Sequence, residues 1–158
     1  MAIRIVKEVS RSVSYPILTG SIVGGNALGL DPAGSNSLVL WPTSGTTGQP
    51  FGLAIESNVF FPLQPANGEV AGQGFDYTNF NRGGLESVFN NGGDFVLYDD
   101  GRGYPYDHSA TYAINAPVYT STTAAGVITS ATGGVLVGYV VSYDTAVSPT
   151  QLEIKLAI

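Results

Sequence analysis

Every apolar run in this chain is short. None exceeds four or five residues, and the runs are separated by clusters of glycine, proline, asparagine and serine. A helix that buries one face needs an apolar spacing of three and four residues sustained over ten or more positions. No such stretch is present. Short runs punctuated by turn residues predict an all-β fold instead, a small antiparallel β-barrel or sandwich with long loops. A membrane-spanning helix, which needs ~20 apolar residues, is excluded. Hydrophobic residues make up 44% of the 158 and charged ones only 11%, against ~25% charged in ordinary domains, so one domain with a substantial core is expected.

Along the chain, Ile3, Ile5, Val6 and Val9 alternate imperfectly with charged residues and suit an extended arm or an edge strand. Residues 20–37 read mainly as loop. Residues 37–41 and 51–56 read as strands, and Val59-Phe60-Phe61 continues the apolar character as far as Pro62. Residues 63–93 form a loop-rich insertion with one helical turn over 85–89, where Leu85, Val88 and Phe89 share a face; a structureless stretch of that length is usually functional or interfacial. Strands are predicted at 94–98, 116–120, 126–130, 135–143 and 152–158. In the last of these Leu152, Ile154, Leu156 and Ile158 alternate with Glu153, Lys155 and Ala157, one side to the core and the other to solvent. Gly138, in the middle of the strongest strand, predicts a bulge, a barrel corner or a close backbone approach. Pro117 fits an edge or the first position of a strand.

Charge is divided unevenly. The chain carries −6 in all, yet residues 1–14 hold Arg4, Lys7 and Arg11 against Glu8 alone, leaving three bases and eleven acids in residues 15–158. A short basic arm before an acidic body is the pattern of a docking tail; the alternative is a first strand of the body itself. The acidic body lacks the concentrated basic patch that nucleic-acid binding requires. No apolar h-region follows the N-terminal charges, so synthesis in a cytoplasm without Sec-dependent export is expected.

Chemistry is sparsely represented. Without cysteine there are no disulfides, thiolate metal sites or thiol nucleophiles. His108 is the sole histidine, in Asp107-His108-Ser109, where neighbouring side chains on extended backbone point apart and make no triad. Asp94, Asp99, Asp100 and Asp107 surround a glycine turn but lack calcium-loop spacing. Gly20-Ser21-Ile22-Val23-Gly24-Gly25 lacks the Lys-Ser/Thr ending of a phosphate loop. No catalytic residue, metal or cofactor is therefore assigned, and a hydrolase using some carboxylate pair is the weakest reading. Tyr98, Tyr104, Tyr106 and Tyr112 suggest a stacking platform for sugars, or a protein interface.

Ala116-Pro117-Val118-Tyr119-Thr120, Gly126-Val127-Ile128-Thr129-Ser130, Val137-Gly138-Tyr139-Val140 and Leu152-Glu153-Ile154-Lys155-Leu156 together resemble the β-pattern of tailed-bacteriophage capsid decoration (cement) proteins. The resemblance covers the last third of the chain, and residues 63–115 have no counterpart in it. It implies a virion structural protein that binds the capsid exterior as a trimer or dimer and stabilises it by bridging major capsid protein subunits. Partner contacts are then expected from Ile3, Arg4, Ile5, Lys7 and Arg11 of the arm, as a strand added to a neighbouring subunit, and from Tyr104, Tyr106 and Tyr112. A carbohydrate- or receptor-binding β-module is the alternative.

Overall fold

The computed structural model describes residues 3–7, 11–16, 22–55, 85–90 and 92–158, with backbone alone at 4–7, 11–16 and 85–90. These contain eleven strands and no helix: β1 (Ile3–Lys7), β2 (Arg11–Pro16), β3 (Ala27–Leu30), β4 (Leu38–Leu40), β5 (Gly52–Ala54), β6 (Leu85–Asn90), β7 (Asp94–Leu97), β8 (Pro117–Thr120), β9 (Ile128–Thr129), β10 (Leu136–Asp144) and β11 (Gln151–Leu156). A six-stranded sheet has the order β1-β7-β11-β10-β8-β9, and a five-stranded sheet the order β2-β6-β5-β3-β4. The strand pairs within both are antiparallel. Neither closes on itself, so the all-β expectation resolves to a sandwich-like arrangement and not a closed barrel.

The C-terminal alternation works as its spacing demands. Leu152, Ile154 and Leu156 are buried, Lys155 is exposed and Glu153 half-buried. β11 lies between β7 and β10, with Ile154 opposite Phe95 on one side and Val140 on the other. These residues share one cluster with Ile3, Val118, Ile128 and Val137 of the same sheet and with Ala27 and Leu53 of the other. Leu28, Leu38 and Ala54, next in sequence to or near those of the second sheet, pack with Ile22 in a separate cluster. The five-stranded sheet is thus apolar on both faces, which is why Leu38-Val39-Leu40 runs without alternation.

Two expectations are corrected. Residues 20–37 are not all loop, because Ala27–Leu30 forms β3. Its Gly29 is there for space: a Cβ would sit 2.9 Å from Trp41 Cε3, so the glycine seats the indole. Residues 85–89 form strand β6 and not a helical turn. β6 pairs with β2 from Pro16↔Leu85 to Arg11↔Asn90 and with β5 at Leu53↔Phe89, and a lone helical turn with its unfavourable nucleus cannot compete with two ladders. The Val59–Phe61 strand and residues 63–84 lie outside the described residues.

The arm, too, is part of its own fold. Ile3 is fully buried, and β1 is, among the described residues, the end strand beside β7, pairing Ile3↔Leu97, Arg4↔Val96, Ile5↔Phe95 and Lys7↔Asp94. The expected division at residue 14 falls inside β2. Of the two readings of this segment, the structure has the strand of the body.

Gly138 confirms the close approach. β10 slips register on β8 between Leu136 and Gly138, and a Cβ on Gly138 would collide with the carbonyl oxygen of Lys155. Pro117 opens β8, the position open to a residue without an N–H. Between the sheets, buried Asn26 accepts from Val23 N at 2.8 Å through Oδ1 and donates to Gly126 O at 3.2 Å through Nδ2. Gly126 O also accepts from Ala27 N at 2.7 Å, while Gly126 N donates to Trp41 O at 2.8 Å.

Two outcomes are expected in urea denaturation. Gly138→Ala should lose about 1–3 kcal/mol, the usual cost of overpacking. A chain ending at Thr150 forfeits three buried aliphatic side chains, each worth roughly 1.5–3 kcal/mol, against a total stability of ~5–15 kcal/mol. It should show no cooperative transition.

Candidate functional site

Residues 104–112 form a loop laid against the β9 edge. Tyr106 makes a parallel bridge to Ile128, with Asp107 N donating to Ile128 O at 2.8 Å and Ile128 N to Pro105 O at 3.0 Å. Tyrosine suits this place because its ring is apolar and its tip is polar. The Tyr106 hydroxyl donates to Thr150 O at 2.9 Å; its single proton being spent there, the contact with Thr150 Oγ1 at 2.9 Å is donated by the threonine. Tyr112 donates to Asp107 O at 2.9 Å. Their rings meet edge to face at 5.8 Å, and Tyr143 touches both, at 6.2 and 5.0 Å.

Sequence reasoning placed Tyr106 and Tyr112 on a contact surface. Both are buried, with their hydroxyls consumed by backbone carbonyls, so they are structural. Tyr104 is half-buried and reaches the surface, stacked at 4.4 Å and 24° on the exposed His108. Ile3 likewise belongs to the core. Ile5 shares its cross-strand row with the buried Phe95, whereas Arg4 and Lys7 hold the register positions of the other side; Arg11 begins β2 in the second sheet. The structure therefore separates the apolar and basic residues that the arm reading grouped together.

The remaining polar candidates engage the backbone. Asp107 Oδ1 accepts from Ser109 N at 3.0 Å and Ser109 Oγ at 2.6 Å, so Asp107 is turned to the serine and His108 to Tyr104. Asp99 Oδ1 accepts from Gly101 N and Gly103 N, each at 2.8 Å, and Asp100 Oδ1 from Arg102 N at 3.2 Å. These are the turns that Asp-Gly sequences favour, with Gly101 at φ 96°. Among the described residues, no group of three His, Asp or Glu side chains is placed to hold a metal ion.

Two features escaped the sequence reading. A cleft of about 420 Å³ is lined by Leu30, Trp41, Gln49, Phe51 and Ile158, and a second of about 250 Å³ shares Trp41 and Thr46 with it and is lined also by Thr43 and Thr120. Neither has a charged residue in its lining. The single tryptophan, set between a strand and a Ser/Thr/Gly/Gln loop, is the sequence signal that could have found them. The other feature is a set of exposed apolar side chains on β10 and beside it: Tyr139, Val141 and Ile114.

Burial pushes the Tyr106 hydroxyl up to about 12, opposed by the Thr150 hydrogen bond and helped by Tyr143, Tyr104 and Asp99. Burial, then the Asp107 carboxylate and the neighbouring tyrosines, raise Tyr112 as well. Both groups hold their proton more tightly folded than unfolded, where tyrosine titrates near ~10. Their contribution is intact below that pH and is lost as the pH rises through the folded values. The melting temperature should therefore fall from about pH 10 upward. Tyr106→Phe should cost about 0.5–1.5 kcal/mol at neutral pH and make the alkaline fall shallower.

Comparison with known protein families, curated proteins and solved structures finds no match to this chain.

Proposed function

We propose that this chain is a non-enzymatic virion structural protein that docks on the outside of a capsid and stabilises it by bridging major capsid protein subunits. The observation that supports the reading is β1. It is a terminal strand of the six-stranded sheet, with no described strand on its far side, and it carries two of the six basic residues of an acidic chain. An open strand edge offers backbone N–H and C=O groups in the plane of the sheet, and pairing them with a strand of a neighbouring subunit gives affinity without a pocket. In this form of the proposal the arm stays in its own sandwich and its edge accepts the partner strand. Several copies bound to one symmetric shell turn a weak edge contact into a strong one.

The clefts beside Trp41 favour a second reading. An indole edge with Gln49 and several threonines, and no charge, suits a neutral saccharide, whose C–H face packs on aromatic rings while its hydroxyls bond amides.

Heads of a tailed phage assembled without this chain discriminate the two. On the first reading the purified protein co-sediments with them and raises the temperature at which they come apart. Failure to co-sediment, together with retention on a glycan array that Gln49→Ala abolishes, would replace the capsid reading by the carbohydrate one.

A further inference from the structure

The backbone of Trp41 is fully bonded: its N–H donates to Ala27 O at 2.9 Å, and its carbonyl accepts from Gly126 N at 2.8 Å. Its side chain is not. The residue is only 6% exposed, yet the indole N–H meets no acceptor among the described residues. Buried indole N–H groups ordinarily find one. Cε3 of the ring lies against Gly29, and the nitrogen belongs to the opposite long edge of an indole. Trp41 lines both clefts, and it is from them that an acceptor can reach this donor.

Thr120 repeats the pattern in the second cleft. It is 2% exposed, and its Oγ1 accepts from Val135 N at 2.9 Å. The hydroxyl proton then has no acceptor among the described residues. Oγ1 stands at the cleft wall, because a Cβ on Gly134, which lines the same cleft, would come within 2.6 Å of it. Two buried donors with unspent protons call for an occupant that brings acceptor oxygens. An anion has them, but no charged side chain lines either cleft to hold one, and a chain of net charge −6 repels it. The oxygens are therefore uncharged. Exposed Thr46 and Gln49 add groups that both donate and accept, as sugar hydroxyls do. A peptide is better matched by an open strand edge, whereas segments 42–46 and 133–135, which wall the second cleft, lie outside the strands.

We infer that the two clefts are one site, meeting at Trp41 and Thr46, that binds a neutral linear oligosaccharide, with Trp41 Nε1–H and the Thr120 hydroxyl donating to its oxygens. The inference deepens the carbohydrate reading of these clefts and rests on it, and it is independent of capsid docking. Trp41 is the chain's single tryptophan, so one indole resonance in a nitrogen–proton correlation spectrum reports the site. Neutral glucans, mannans and galactans of one to six units are titrated into the full chain. For at least one series the indole resonance should shift saturably, and the tetrasaccharide should bind at least about tenfold tighter than the monosaccharide as both clefts fill. Trp41→Phe and Thr120→Val should each weaken the tetrasaccharide about two- to tenfold, the worth of one hydrogen bond. Thr46→Ala, at an exposed position common to both clefts, replaces either variant that does not fold. A monosaccharide that binds as tightly as the longer chains overturns the inference and leaves the carbohydrate reading standing. Sugar binding that leaves the indole resonance unmoved, or tighter binding of sulfated chains than of neutral ones, overturns it too. If no series binds, the inference and the reading beneath it fall together.

Discussion

The sandwich depends on a small polar junction between its layers. Two sheets that meet through side chains alone can slide over one another, since apolar contact has little directional preference. Here Asn26 and Gly126, a hundred residues apart, fix the offset. The Asn26 amide holds the turn at Val23 with one end and the Gly126 carbonyl with the other. The Gly126 backbone in turn accepts from Ala27 N and donates to Trp41 O. Gly126 adopts φ 72° with Leu40 within 2.6 Å of where a Cβ would stand, so no other residue reproduces the approach. Buried hydrogen bonds of this kind add modestly to stability but cost heavily when left unmade, which makes them suited to setting register.

How much of this was legible depended on whether one face of each strand meets water. β11 does meet it, and its alternation could be read directly; in β10 the sequence marked Gly138 as a bulge, a corner or a close approach, and the Lys155 carbonyl beside it decides for the last. β3 was opaque because Gly29 looks like a breaker in one dimension; only the indole lying over it in three dimensions explains it. Leu85, Val88 and Phe89 fit a helical face as well as a strand, and the ladders with β2 and β5 that decide the matter come from residues more than thirty positions away. At the candidate site the difficulty was tyrosine. An amphipathic ring has the same composition signature at a surface and in a core, and what separates the two is whether the hydroxyl finds a carbonyl, as Tyr106 finds Thr150.

The N-terminal segment shows the same limit in another form. Its mixture of isoleucine and basic residues suits a docking arm as well as a first strand of the body. Paired on β7, it divides: Ile3 and Ile5 fall in the rows of the buried Leu97 and Phe95, Arg4 and Lys7 in the rows of Val96 and Asp94. One strand thereby closes the core and brings positive charge to an acidic chain, and both tasks follow from the two-residue period of extended backbone.

The position of β11 has a consequence for how the chain is made. It is the central strand of its sheet's main run, yet it follows β1, β7 and β10 in the sequence. Until residues 151–156 have left the ribosome, β7 and β10 have no neighbour between them, and Phe95, Leu97 and Val140 lack their covering strand. Such distant pairings make for slow folding. The emerging chain therefore passes through a stage with open, apolar strand edges, when it is most exposed to aggregation and most in need of a chaperone.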